Sequence, residues 1–270
     1  MFKKLFGPRT APNPKPGPQL CMPALAATEG PSGPAIREAW AKLFPSLPPP
    51  TQKAGHEEVK SFEYDGMMLM LAHMPMPIPQ GDIDSACERS WMFPEASTEM
   101  MRQKSHMIVT ALRAKGSTGN AVAEALLVTR AAAAICEASD VAGIYWGNGA
   151  QIHKPDFFVD AIKSFDTEDL LPCMLWIGEM VSGEGPGGPF TLTTHGMRCF
   201  GHKELEVIDT TMPVGDLRTG IYDTINYLLA SGPIFQHGQT FGPTADDKWR
   251  IEHTTSRFRK GEQVIRLHIP

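Results

Sequence analysis

The chain has 270 residues, of which 42 % are hydrophobic and 20 % are charged, and this balance excludes a wholly disordered protein. The formal net charge of -5 and the pI near 6.0 argue against a nucleic-acid-binding protein with a broad basic face. Residues 1–20 contain four bases and no acid, so residues 21–270 hold the other 21 bases and all 30 acids. We therefore expect an acidic folded body that attracts basic partners.

The cysteines and the lack of long apolar runs indicate the cellular compartment. Five cysteines are scattered without a CxxC pair, and an odd number in a chain of this size indicates reduced thiols. Residues 1–7 lack the apolar run and the cleavage site of a secretory signal. No stretch of 18 consecutive apolar residues is present, so we expect a cytoplasmic protein without a membrane-spanning segment.

Prolines set the N-terminal part apart. Half of the 24 prolines precede Thr51, and each removes a backbone donor, so we predict an extended arm over residues 1–33. Residues 34–44 predict a short helix whose apolar stripe docks on the body. The predicted division is thus a Pro-rich arm with one helix at 1–50 and a single domain at 51–270. Two alternatives are a tethered recognition helix and an adaptor whose arm binds a partner in polyproline form.

From residue 58 onward, strands and helices alternate at short intervals. Asp65-Gly66 is a strong hairpin-turn signal between two predicted strands, and Ser117 or Thr118 is the predicted cap of the longest helix. The predicted strands are 59–64, 67–72, 105–112, 141–146, 173–181, 190–194, 205–208, 249–254 and 263–268. The predicted helices are 82–91, 117–138, 156–165 and 217–230. Neighbouring strands joined by turns favour an α+β fold with mixed, largely antiparallel sheets packed with helices.

His195, Cys199 and His202 form the densest group of side chains able to bind a metal or to act as nucleophiles. With Glu204 as a further ligand they would suit a metal-dependent or hydrolytic enzyme. Gly196 and Gly201 instead indicate two turns with apolar residues between them. No second Cys or His pair has a matching spacing, so we predict turns, with no cofactor, no metal and no catalytic residue.

Carboxylates beside turn residues are the predicted partner-binding groups. They are Asp166, Glu168, Asp169, Asp246 and Asp247. Such residues are also typical of solvated loops, and their main effect is then on overall charge. Nine of the fifteen methionines lie in residues 67–107, where they fill core gaps or form an adaptable interface.

Several short motifs resemble one protein family. They are Thr194-His-Gly-Met197, Phe200-Gly201, Glu204-Leu-Glu-Val207 and Gly238-Gln-Thr240, with Ile144-Tyr-Trp146, Pro155, Pro172 and Trp176 upstream. Together they resemble the domain of unknown function 4261 family over residues 67–240. The Pro-rich arm lies outside this resemblance. Because the family is uncharacterised, the resemblance implies no catalytic residue.

Domains of this kind occur among bacterial immunity proteins, so the resemblance implies a toxin-neutralising role. Our leading hypothesis is a cytoplasmic, non-enzymatic protein that binds a toxin or secreted effector and blocks its surface. If the toxin is a nuclease, its positive cleft would suit an acidic partner. The alternative is a hydrolase or a metal-dependent small-molecule enzyme that uses His195, Cys199 and His202. Neither hypothesis predicts nucleic-acid or membrane binding by the chain itself.

Overall fold

The structure, a computed structural model, describes residues 12–53, 59–113, 120–168, 170–183, 185, 188–242 and 248–269. The chain divides into an N-terminal unit, residues 17–178, and a C-terminal unit, residues 179–269 with 12–16. Each unit contains one sheet and at least one helix, and the sheets are mostly antiparallel, so the predicted α+β class is confirmed. The predicted division at residue 50 stays a prediction.

The N-terminal unit is built on a seven-stranded antiparallel sheet. Its strands are β1 (Leu20–Leu25), β2 (Thr51–Gln52), β3 (Val59–Tyr64), β4 (Met67–Met74), β5 (Ser105–Arg113), β6 (Val141–Trp146) and β7 (Gln151–His153). Its helices are α1 (Gly33–Leu43), α2 (Gln80–Arg89), α3 (Ala96–Met100), α4 (Ala121–Ala138), α5 (Pro155–Glu168) and α6 (Cys173–Trp176). The strand order is β2-β3-β4-β5-β1-β6-β7.

β1 overturns part of the predicted arm. This strand lies between β5 and β6 in the middle of the sheet, although Pro23 removes one backbone donor from it. Its residues are apolar, and Cys21, Ala24 and Leu25 are completely buried. The apolar burial outweighs the missing donor, which a rule based on proline alone does not anticipate.

The hairpin of β3 and β4 forms as predicted. Asp65 and Gly66 have φ angles of 47° and 71°, the left-handed values that a two-residue type I′ turn requires. The turn pairs Tyr64 with Met67 and fixes the register of both strands. Alternate residues of β4 are therefore buried, including Leu69 and Leu71.

α1 and α4 pack together, which confirms that the predicted short helix docks on the body. Ser32 caps α1 by accepting a hydrogen bond from the backbone of Ala35, and Ile36 and Trp40 are buried. α4 is rich in buried alanine, which allows close helix packing. Its cap is Asn120, which accepts from the backbone of Val122, whereas Ser117 and Thr118 lie outside the described residues.

One predicted strand is partly a helix. Residues 173–176 form the single turn α6 instead of the start of a strand, and the strand begins only at Gly178. A short apolar run does not distinguish a strand from a buried helical turn. Here Trp176 is buried, and its indole nitrogen donates to the hydroxyl of Thr129 in α4, 2.8 Å away.

The C-terminal unit contains a six-stranded sheet and one long helix. Its elements are β8 (Gly178–Gly183), β9 (Phe190–His195), a 3₁₀ turn (Met197–Phe200), β10 (Leu205–Thr210), α7 (Val214–Ser231), β11 (Thr240–Phe241), β12 (Trp249–Thr255) and β13 (Gln263–His268). The strand order is β11-β12-β13-β10-β9-β8, and β10 and β13 run parallel. The long connection from β10 to β13 carries α7 and the hairpin of β11 and β12.

None of the helices in the described ranges combines the length and the apolar character that a membrane span requires.

His153 should make the N-terminal unit sensitive to acid. Its side chain is buried, Nε2 donates to the carbonyl of Leu175 at 3.1 Å, and burial lowers its pKa from 6.5 to about 4. Between these pH values the unfolded chain binds a proton that the folded chain does not. The free energy of unfolding should therefore fall as pH drops through this window, by about 3 kcal/mol from this residue.

Urea unfolding followed by circular dichroism at several pH values between about 7 and 4.5 measures this effect. His153→Gln keeps a side-chain donor and removes the titration, so its stability should depend less steeply on pH. Equal pH dependence in the two proteins would contradict the assignment.

Candidate functional site

A cavity of about 670 Å³ lies between α7 and the hairpin of β11 and β12, and we call it the α7 groove. Residues from three elements line it. Those that carry its chemistry are Asp216, Gly220, Asp223, Tyr227, Phe241 and Trp249. Cavities of this size accommodate a small molecule or a segment of another protein.

The groove has an aromatic wall because Gly220 has no side chain. A methyl group at this position would lie 2.9 Å from Cζ2 of Trp249 and closer still to the end of the ring, so glycine permits the indole to approach α7. Phe241 packs edge-on against Trp249 with ring centres 5.6 Å apart. Phe235 continues the row, with ring centres 4.6 Å from Phe241 and 6.2 Å from Tyr227.

Two carboxylates of the groove stand out among the acids of the C-terminal unit. Six of the eight described acids of this unit have partners: Glu179, Glu206, Asp209, Glu252 and Glu262 pair with arginine, and Glu204 accepts backbone hydrogen bonds. Asp216 and Asp223 are exposed and have no ion pair or side-chain hydrogen bond to a described residue. Asp216 lies in the first turn of α7, where the helix dipole favours a negative charge. Asp223 lies in mid-helix and has no such explanation.

Hydrogen bonds to β12 hold the segment that carries Phe235 and Phe241. The backbone of Ile251 accepts from Gly238 and donates to Gln239, each at 2.8 Å. His253 donates from Nε2 to the carbonyl of Phe235 at 2.9 Å. The aromatic wall is therefore fixed to the sheet.

His253 also joins this wall to a buried lysine. Lys203 is 3 % exposed, and its Nζ lies 3.1 Å from Nδ1 of His253. Because Nε2 donates to Phe235, Nδ1 accepts this bond from the ammonium group. Burial and the nearby Lys203 charge lower the pKa of His253, and burial lowers the pKa of Lys203. The neutral imidazole thus connects the start of β10 to the groove wall.

The predicted enzyme cluster forms a turn. Gly196 and Gly201 have φ angles of 118° and 84° at the two ends of the 3₁₀ turn, as the predicted turns require. The buried carboxylate of Glu204 accepts from the hydroxyl of Thr194 at 2.8 Å and from the backbone of Gly196, Met197 and Arg198 at 3.0 to 3.3 Å. Glu204, the expected additional ligand, is therefore engaged in fixing this turn.

His202 is buried, and burial lowers its pKa to about 4, so the imidazole is neutral at pH 7. Its Nδ1 has no hydrogen-bond partner among the described residues. Within the same residues, no group of three or more His, Cys, Asp or Glu side chains is placed to hold a metal ion. The enzyme hypothesis stays a prediction.

The predicted partner-binding residues are distributed as follows. Asp166, on α5, accepts two hydrogen bonds from Arg130, at 2.7 and 2.9 Å, and both side chains are largely buried. Its charge is thus already neutralised within the molecule. Glu168 ends α5, but its side chain is not described, and Asp169, Asp246 and Asp247 lie outside the described residues. Partner binding by these residues remains a prediction.

The α7 groove was not found from the sequence. Asp216 and Asp223 are seven residues apart, and Tyr227 follows four residues later, so all three share one face of a helix. That spacing was readable in the sequence. The contact of α7 with Trp249, which turns this face into a groove, depends on tertiary structure.

The comparisons with known proteins support the family resemblance over one segment. Residues 193–268 match the family described as Domain of unknown function (DUF4261). This segment begins in β9, ends in β13 and includes the whole α7 groove, whereas the predicted extent was 67–240. The upstream motifs at residues 144–146 and 172–176 therefore lie outside it. No curated protein and no solved structure matches the chain.

Replacing Asp166 should test whether its role is internal. Asp166→Asn leaves the largely buried Arg130 without its charged partner, so the free energy of unfolding should fall by about 1–3 kcal/mol. Asp160→Asn, at an exposed position of α5, should change it by less than about 0.5 kcal/mol. Denaturant unfolding measures both. Equal effects would show that the ion pair contributes little.

Two glycines of α7 should respond in opposite directions to alanine. Gly220→Ala forces the ring of Trp249 to move, and we expect a loss of about 1–3 kcal/mol in the free energy of unfolding. Gly215→Ala meets no atom within 4 Å and should be neutral or stabilise the helix by up to about 1 kcal/mol. Thermal and urea unfolding measure the stability of both variants. A stable Gly220→Ala protein with unchanged tryptophan fluorescence would contradict the described packing.

Proposed function

We propose that this chain, whose residues 193–268 carry the DUF4261 segment, is a non-enzymatic binding protein that neutralises a bacterial toxin or secreted effector. It acts by covering a basic surface of its partner in the cytoplasm. The partner contact includes the α7 groove. No bond is broken in the partner or in this chain.

One observation carries the proposal: the two acids of the C-terminal unit that have no partner among the described residues lie in the same aromatic groove. A carboxylate whose charge is already balanced gains little from a second cation. Asp216 and Asp223 instead remain available, and an arriving cation would be partly shielded from water by Tyr227 and Trp249. Charged groups next to apolar surface interact more strongly than the same groups in open water.

The charge of the whole molecule supports the same partner class. Residues 21–270 contain 30 acids and 21 bases, so a basic protein is attracted before contact. A nuclease, whose cleft must be positive to hold phosphates, is one such protein. This attraction accelerates association and weakens as salt increases.

The test uses the product of the gene next to the one for this chain, expressed in a bacterial host. Expressed alone, that product should arrest growth, and co-expression of this chain should restore it. The double variant Asp216→Asn/Asp223→Asn should restore growth poorly, because it removes both unpaired groove charges. Asp209→Asn is the matched control, since it removes an exposed acid that is paired with Arg257.

Arrest that the wild-type chain does not relieve, or the absence of any arrest, would contradict the proposed function. If wild type and double variant restore growth equally, neutralisation stands but the groove does not mediate it. The affinity of the purified complex should also fall as the salt concentration is raised, with Kd increasing by at least about tenfold.

A further inference from the structure

We infer that the α7 groove receives a helical segment of the partner protein in which two cationic side chains, seven residues apart, flank an apolar side chain. This inference rests on the proposed function and specifies the partner's chemistry. It follows from the spacing of the groove carboxylates and from the composition of the surface between them.

The spacing comes from helix geometry. Asp216 and Asp223 are two turns apart on one face of α7, which corresponds to about 10 Å along the axis. A partner helix presents residues i and i+7 on one face at the same separation, with i+3 and i+4 between them. Two cations at i and i+7 therefore match the two carboxylates at once.

The surface between the carboxylates suits an apolar side chain. Gly220 lies between them on α7 and lets the buried ring of Trp249 pack against the helix, and Phe241 borders the same space. An aliphatic or aromatic side chain at i+3 or i+4 would fill this space. The cavity of about 670 Å³ is large enough for several side chains of a segment.

One end of the groove favours arginine. Tyr227 follows Asp223 by four residues, so carboxylate and phenol ring are neighbours on the helix surface, and the ring is 49 % exposed. A planar guanidinium can bind the carboxylate and stack on an aromatic face at the same time, which an ammonium group does less well.

The test uses three fluorescein-labelled, alanine-based peptides of equal length. The first has arginine at i and i+7 with leucine at i+3 and i+4. The second has the same composition with the arginines on opposite faces, and the third has glutamate in place of arginine. Fluorescence anisotropy with the full chain should show the first peptide binding at least about tenfold more tightly than the second, and no binding of the third.

Groove variants locate the site. Asp216→Asn and Asp223→Asn should each weaken binding of the first peptide by about threefold to fivefold, and Asp209→Asn should leave it unchanged. Equal binding of the first two peptides, or equal effects of all three variants, would overturn the inference. Circular dichroism of each variant confirms that it is folded.

Three further outcomes distinguish a partner helix from the chain's own segment, and this inference from the toxin hypothesis. If the peptide binds only when Lys3, Lys4 and Arg9 are all changed to Gln, the chain's own basic segment fills the groove, and a partner helix is the wrong occupant. If the peptides behave as expected while growth is not restored, the inference stands and the toxin hypothesis fails. If growth is restored regardless of Asp216 and Asp223, neutralisation stands and this inference fails.

Discussion

The C-terminal unit depends on satisfying carboxylates that its fold buries. Glu179, Glu204 and Glu206 are each no more than 6 % exposed, and a buried charge without a partner would cost several kcal/mol. Glu206 pairs with Arg266, and it also accepts from the hydroxyl of Ser256. These bonds tie the neighbouring strands β10 and β13 to the turn after β12. Burial raises the pKa of Glu179, and the ion pair with Arg218 of α7 opposes that shift. The same requirement therefore positions the helix that forms one wall of the groove.

The need of buried carboxylates for partners also determines which charges remain available for a partner protein. An acid that holds the fold together cannot be moved or shared without a loss of stability, so it is poorly suited to a partner. In the C-terminal unit the described acids outside the groove have partners within the chain, whereas Asp216 and Asp223 have none among the described residues. Asp166 has the same charge as these two residues, but it forms an ion pair with Arg130. Net charge describes long-range attraction, but the specificity of contact depends on charges that the protein itself leaves unbalanced.

Local chemistry explains which elements the sequence predicted well. The Asp65-Gly66 turn and the alternating pattern of β3 depend on neighbours in the chain, so they were predictable, as was α7 to within a few residues. β1 was missed because its burial comes from β5 and β6, at least 80 residues away, and outweighs the effect of Pro23. The groove was missed for a related reason. Its carboxylates are visible as an i, i+7 pair, but their lack of partners and the approach of Trp249 exist only in the folded chain.

The turn at residues 195–202 shows why a cluster of reactive residue types is weak evidence for catalysis. Histidine, cysteine and glutamate lie within ten residues. The carboxylate of Glu204, however, already accepts hydrogen bonds from three backbone N–H groups and one hydroxyl. Catalysis requires groups that converge on a space where a substrate can sit, whereas Glu204 stabilises the turn between β9 and β10. The α7 groove has the opposite character, since its side chains are chemically ordinary but converge on an open cavity. It offers charge and aromatic surface, the two features on which the proposed binding function depends.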